Sequence, residues 1–171
     1  MNGHMKPADI EKRSFAIITE ELGGRTFPES VAEVVKRVIH TSADFDYADN
    51  LCFSPDAVEQ AKAALEAGAT IVTDTNMALA GISKPTLAKL GGKAVCLMAD
   101  EDVAREAKAR GVTRATVSME HAAKLDGPLI FAIGNAPTAL IRLHELIGEG
   151  AVSPALVIGV PVGFVNVVES K

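Results

Sequence analysis

The chain has 171 residues, 48% of them hydrophobic and 23% charged, and 17 Lys and Arg against 22 Asp and Glu give a net charge of −5. This composition excludes a disordered protein, and the length fits one domain that buries roughly 70% of its unfolded surface without disulfides. The acidic balance, with six Phe, one Tyr and no Trp, excludes a general nucleic-acid binder, which needs a basic face and stacking platforms.

The start, Met1-Asn2-Gly3-His4-Met5, reads as an expression-vector remnant over 1–4, leaving 5–171 as a single domain. The first third is helical. Pro7 opens a segment carrying Ile10, Phe15, Ile18 and Leu22 near one face, and Gly23-Gly24 closes it. After Pro28, the residues Val31, Val34, Val35, Val38 and Ile39 recur at helical spacing and form a core stripe that ends beside His40. An acidic stretch follows, Asp44 to Asn50. Ser54-Pro55 then reads as N-cap and first residue of a third helix, which Gly68 stops.

From Ala69 the pattern changes. Apolar runs at Thr70–Thr73, Ala94–Met98, Leu129–Ile133 and Ala155–Val160, with a weaker one at Val112–Val117, read as buried parallel strands. Helical segments lie between them at Lys84–Leu90, Asp102–Arg110, Met119–Leu125 and Pro137–Gly148. Alternating strands and helices predict an α/β, three-layer fold, in which a mainly parallel sheet is flanked by helices and the N-terminal helices precede it.

The longest apolar stretch, Pro154 to Val168, is broken by Gly159, Pro161 and Gly163 and falls short of the ~20 residues a membrane span needs. No membrane association is expected. Cys52 and Cys96 stand far apart, form no metal-type pair and read as small buried hydrophobes in a reducing cytosol.

Ligands of open parallel sheets gather beyond the carboxyl ends of the strands. Asp74 and Thr75 follow the first strand, and Gly134-Asn135-Ala136-Pro137-Thr138 follows the run at 129–133. There Gly134 permits a tight turn, Asn135 can cap, and Pro137 is pre-set for a helix start. The junction reads equally as an anion site of free backbone N–H groups or as a well-made strand–helix turn. No dinucleotide fingerprint or phosphate loop is present, and the four His do not cluster, so neither a nucleotide cofactor nor a protein-bound metal is expected. His40 has two readings, a proton donor poised between a helix C-terminus and burial, or a satisfied core histidine. Arg13 and Arg114 are suited to clamp a carboxylate, or are surface arginines. Lys36-Arg37 reads as a solvated face.

The blocks Arg13-Ser14-Phe15-Ala16-Ile17-Ile18, Ile39-His40-Thr41-Ser42-Ala43-Asp44-Phe45-Asp46, Thr73-Asp74-Thr75-Asn76-Met77-Ala78 and Gly111-Val112-Thr113-Arg114 stand in this order. Gly134-Asn135-Ala136-Pro137-Thr138-Ala139-Leu140 and Gly159-Val160-Pro161-Val162-Gly163-Phe164-Val165 follow, ahead of Glu169-Ser170-Lys171. Together they resemble the motifs of the precorrin-8X methylmutases, corrin-ring isomerases of cobalamin biosynthesis. The resemblance implies migration of a methyl group from C11 to C12 of (cobalt-)precorrin-8, with His40 as general acid. It implies that Ser14 and Arg114 lie near the substrate, and that Arg13, Thr41, Asp74, Thr75, Asn135 and Thr138 belong to substrate-binding motifs. It further implies a tetrapyrrole substrate with several carboxylates, no cofactor, and a cytoplasmic homodimer. The wording after His40 is more similar to the cobalt-using branch. An apolar slot for the ring would draw on Phe45, Phe53, Met77 and Phe164, or these are ordinary core residues. Relatives continue past Glu-Ser-Lys through a strand and a helix, so the resemblance implies a chain lacking them. The competing readings are a non-catalytic tetrapyrrole carrier derived from the family and an unrelated nucleotide-dependent α/β enzyme.

Overall fold

A computed structural model describes residues 6–171. The reading of 1–4 as vector-derived lies outside the described residues. The chain forms two compact units, Met1–Glu59 and Gln60–Lys171.

In the first unit, α1 (Pro7–Leu22) and α2 (Glu29–Ser42) pack through Ile18, Leu22, Val35 and Ile39, and α3 (Tyr47–Asn50) adds Ala48. Phe27, Phe45, Leu51 and Phe53 close the edges of this cluster. The α2 stripe thus buries the face its spacing predicts. Arg37 on α2 donates to Glu11 on α1 at 2.7 Å, and Arg25 holds Asp49 through two hydrogen bonds of 3.1 and 2.9 Å.

The unit boundary falls within α4 (Ala57–Glu66). This helix begins later than Ser54-Pro55 suggests. Asp56 adopts a left-handed φ of 55°, which a first-turn residue of a right-handed helix cannot have, so the chain turns there before the helix starts.

The second unit is built on four parallel strands: β1 (Thr70–Thr73), β2 (Lys93–Val95), β3 (Leu129–Ile133) and β4 (Leu156–Gly159), in the order β2-β1-β3-β4. Helices α5 (Asn76–Gly81) and α6 (Lys84–Lys89) connect β1 to β2, α7 (Glu101–Arg110) and α8 (Arg114–Ala122) lead to β3, and α9 (Pro137–Gly148) leads to β4. A short α10 (Val167–Ser170) follows. Alternate strand residues face opposite ways. Leu129, Phe131 and Ile133 pack with Val72 against Ala115, Met119 and Ala122 of α8 and Leu140, Leu143 and Leu146 of α9. Ile130 turns the other way, toward Ala64, Leu65, Ile71 and Leu156. The parallel α/β reading is therefore correct. Two elements differ, the first being the run at Ala94–Met98, which is a strand only over Lys93–Val95. Val112–Val117 is not a strand: the Thr113 hydroxyl accepts from the Thr116 N–H at 3.1 Å and caps α8, so the segment is helical from Arg114.

Candidate functional site

His40 lies in the last turn of α2 and is exposed. It is not a core histidine. Its neighbour Ile39, 1% exposed, takes the core position, and one further residue turns the side chain roughly 100° around the helix axis. The imidazole stacks on Phe15 of α1, ring centroids 5.2 Å apart and planes inclined by 6°. The Arg37 guanidinium lies 4.7 Å from the centre of the same Phe15 ring. Arg37 also donates to Glu11, and that hydrogen bond, followed by the Arg37 charge, holds the Glu11 carboxyl below the usual carboxylate range. Arg37 is thus more than a solvated face. Spacing along one helix does not show which ring of the other it meets.

Ser14 and Thr41 both donate within their own helices, to the Ile10 carbonyl at 3.0 Å and the Arg37 carbonyl at 2.9 Å. Their oxygens keep lone pairs for an external donor. Arg13 is exposed beside Ser14.

In the second unit the connection from β1 leads to β2 on one side, and the connection from β3 leads to β4 on the other. The strand order reverses between β1 and β3, where open α/β sheets form their ligand crevice. Asp74 sits at that point with 0% exposure. Its carboxylate accepts the backbone N–H groups of Gly134 at 3.1 Å, Asn135 at 2.8 Å and Ala136 at 2.6 Å. The N–H groups of this junction are therefore not free. Nor does Asn135 cap α9: Ala136 is the N-cap and no side chain of the turn bonds there. Gly134 keeps an ordinary φ, so no left-handed turn demands it. The Thr75 hydroxyl accepts from the Ala78 N–H at 3.1 Å and caps α5.

The starts of α8 and α9 are tied by a hydroxyl contact, Thr113 Oγ1 to Thr138 Oγ1 at 3.3 Å. Arg114, the first residue of α8, is exposed beside it. Among the described residues, Arg25, Arg37, Arg110 and Arg142 form ion pairs, whereas Arg13, Arg105 and Arg114 form none. Asn135 is exposed and Thr138 half-buried.

Of the candidate slot residues, Phe45 and Phe53 pack into the first unit's core, while Met77 and Phe164 are exposed. Cys52 is exposed and Cys96 half-buried, so neither is a fully buried hydrophobe, and both thiols are free. Among the described residues, no cluster of His, Cys, Asp or Glu is placed to hold a metal ion, and no helix is long and apolar enough to cross a membrane.

A parallel sheet with polar side chains at its switch point is the architecture of an α/β protein that takes ligands beyond the carboxyl ends of its strands. Residues 9–171 match the profile of the precorrin-8X methylmutase family, and the chain belongs to that family. It is an isomerase that transfers a methyl group within one molecule, a role in cobalamin biosynthesis. A cobalt-precorrin-8 methylmutase of Priestia megaterium is 46% identical over 98% of this chain and 74% of its own length. One of Salmonella typhimurium is 45% identical over 97% of this chain and 80% of its own. The crystal structure of a Thermus thermophilus precorrin-8x methyl mutase superposes with a TM-score of 0.85 at 42% identity, covering 95% of this chain and 79% of that one.

Proposed function

We propose that the enzyme moves a methyl group from C11 to C12 of a precorrin-8 ring, with His40 as general acid. The observation that carries this reading is the exposed His40 imidazole, fixed against Phe15 at the end of α2. In the shift, the bond from the methyl carbon to C11 breaks and the bond to C12 forms. Substrate and product are isomers, so no electron acceptor enters, and a proton lent to the ring must be returned. A positioned acid supplies typically ~10²–10⁴-fold in rate. Restriction of the ring and its side arms to one pose supplies the rest.

The substrate carries several carboxylates and the protein a net charge of −5. Recognition then depends on local donors rather than a global field. Arg13 and Arg114 are cations with no ion-pair partner among the described residues, and Ser14, Thr41, Thr75, Asn135 and Thr138 add hydroxyl and amide groups. The identities of 46% and 45% to enzymes named for cobalt-precorrin-8 favour the cobalt-loaded ring as substrate. The free thiols fit a reducing cytoplasm, and the working form is a homodimer, which light scattering tests.

The deciding experiment is incubation with precorrin-8 and cobalt-precorrin-8, followed by visible spectroscopy as the corrin conjugation completes. Turnover by wild type with a loss of ~10²–10⁴-fold in His40→Ala is expected. Undiminished turnover in His40→Ala removes the acid role, and tight binding without turnover makes the protein a carrier.

A further inference from the structure

The sheet's switch point is where an anionic substrate group would be expected, yet an anion of the protein's own already occupies the nearest donors. Gly134, Asn135 and Ala136 point three successive backbone N–H groups at one spot, and the Asp74 carboxylate fills it at 3.1, 2.8 and 2.6 Å, fully buried. Successive N–H groups that converge in this way form an anion-binding nest. The two sides of this nest lie 60 to 62 residues apart in sequence and directly follow the neighbouring strands β1 and β3. Pro137 follows directly and has no N–H, so Ala136 gives Asp74 the last donor before the helix.

We infer that Asp74 is a positioning residue: a built-in anion that locks the Gly134–Ala136 turn, aims Asn135 and Thr138, and denies the nest to substrate carboxylates. An anionic arm must then be held farther out, by side chains, which makes its recognition specific rather than a general attraction to a helix start. The consequence for turnover rests on the proposed reaction; the occupancy of the nest does not.

The test uses the Asp74→Ala variant of the whole chain with sodium formate, against sodium chloride at equal ionic strength. Truncation leaves the three N–H groups facing a hole the size of a carboxylate, which formate fits. Expected is a lowered melting temperature that formate raises saturably in the variant and not in wild type. With cobalt-precorrin-8, kcat/KM falls ~10–100-fold, mostly through KM, and formate restores it over the same concentration range. A variant that melts like wild type, or a formate effect equal in both proteins, overturns the nest. A loss confined to kcat with unchanged KM reports a smaller folded fraction and overturns the positioning role. Should Asp74→Ala not fold, Asp74→Asn keeps the volume but turns an amide N–H toward a backbone N–H. Its KM is then expected to stay high at every formate concentration, and a wild-type KM overturns the proposal. Absence of turnover in wild type would count against the proposed reaction, while the melting experiment still decides the nest.

Discussion

The His40 imidazole and the Phe15 ring lie face to face, 5.2 Å between centroids and 6° from parallel. Two helices are needed to make this contact, and it gives an otherwise exposed imidazole one orientation. Aromatic pairs at this distance gain ~0.5–1.5 kcal/mol beyond their burial. Phe15→Leu keeps an apolar side chain but loses the flat support. We expect turnover to fall about tenfold with KM little changed, since a tilted acid misses its proton acceptor. Phe15→Tyr should retain most activity. Steady-state rates from the visible spectrum check this, and an unchanged kcat in Phe15→Leu would count against the stack.

Arg114 offers a forked donor set at the start of α8, exposed and unpaired among the described residues. Lysine keeps the charge but not the fork, and cannot engage a carboxylate bidentately. Arg114→Lys is expected to raise KM about tenfold with kcat near wild type, and Arg114→Ala to raise it further. Stability should barely change, because no internal partner is lost. Rates over a range of substrate concentrations, with a melting curve beside them, test both parts.

Much of this was legible along the chain, and the exceptions share a cause. Pro137 and the apolar spacing after it locate both ends of α9, and the β-branched runs locate β1 and β3. Val112–Val117 misleads because its Val and Thr residues have strand propensity, while the Thr113 hydroxyl captures the Thr116 N–H and starts a helix. Asp56 at φ 55° delays α4, and nothing local to Ser54-Pro55 announces it. At the site, His40, Ser14 and Arg114 stand in recognisable blocks. The partners of Asp74 are backbone groups of the turn after β3, some sixty residues on, and the partner of His40 lies on another helix. Such contacts follow from topology, which leaves no periodic mark.

Glu120 on α8 joins three helices. It accepts from Arg110 of α7 at 3.0 Å and from Arg142 of α9 at 2.9 Å. Glu106, bonded to Arg110 and to His121 at 2.9 Å, extends the same network. The Arg110 hydrogen bond first, with Arg142 adding to it against the opposing effect of burial, holds the Glu120 carboxyl below its ordinary 4.5. A lowered carboxyl pKa contributes stability that is complete above the unfolded value and lost as pH falls through the folded one. Glu120→Gln should therefore cost ~1–2 kcal/mol at neutral pH. The gap to wild type should close progressively below pH 4.5. Denaturant melts at several pH values check it, and a gap that widens in acid would refute this account.

Gly92 carries a packing constraint of a different kind. A Cβ there would stand 2.7 Å from the Ala69 carbonyl oxygen and 2.8 Å from Leu87 Cδ1. Leu87 is a buried core residue whose tip can shift, but the Ala69 carbonyl is backbone and accepts the Lys93 N–H at 3.4 Å, next to the first β1–β2 pair. Relieving the clash moves β1 against β2. Gly92→Ala is accordingly expected to cost ~1–3 kcal/mol, a fall in melting temperature of about 3–10 °C. Gly81 at the end of α5 is the control: its Cβ would meet nothing within 4 Å and its φ is ordinary. Gly81→Ala should be neutral or slightly stabilising, because alanine is the better helix former. If both variants melt alike, the close approach at Gly92 does not constrain the sheet.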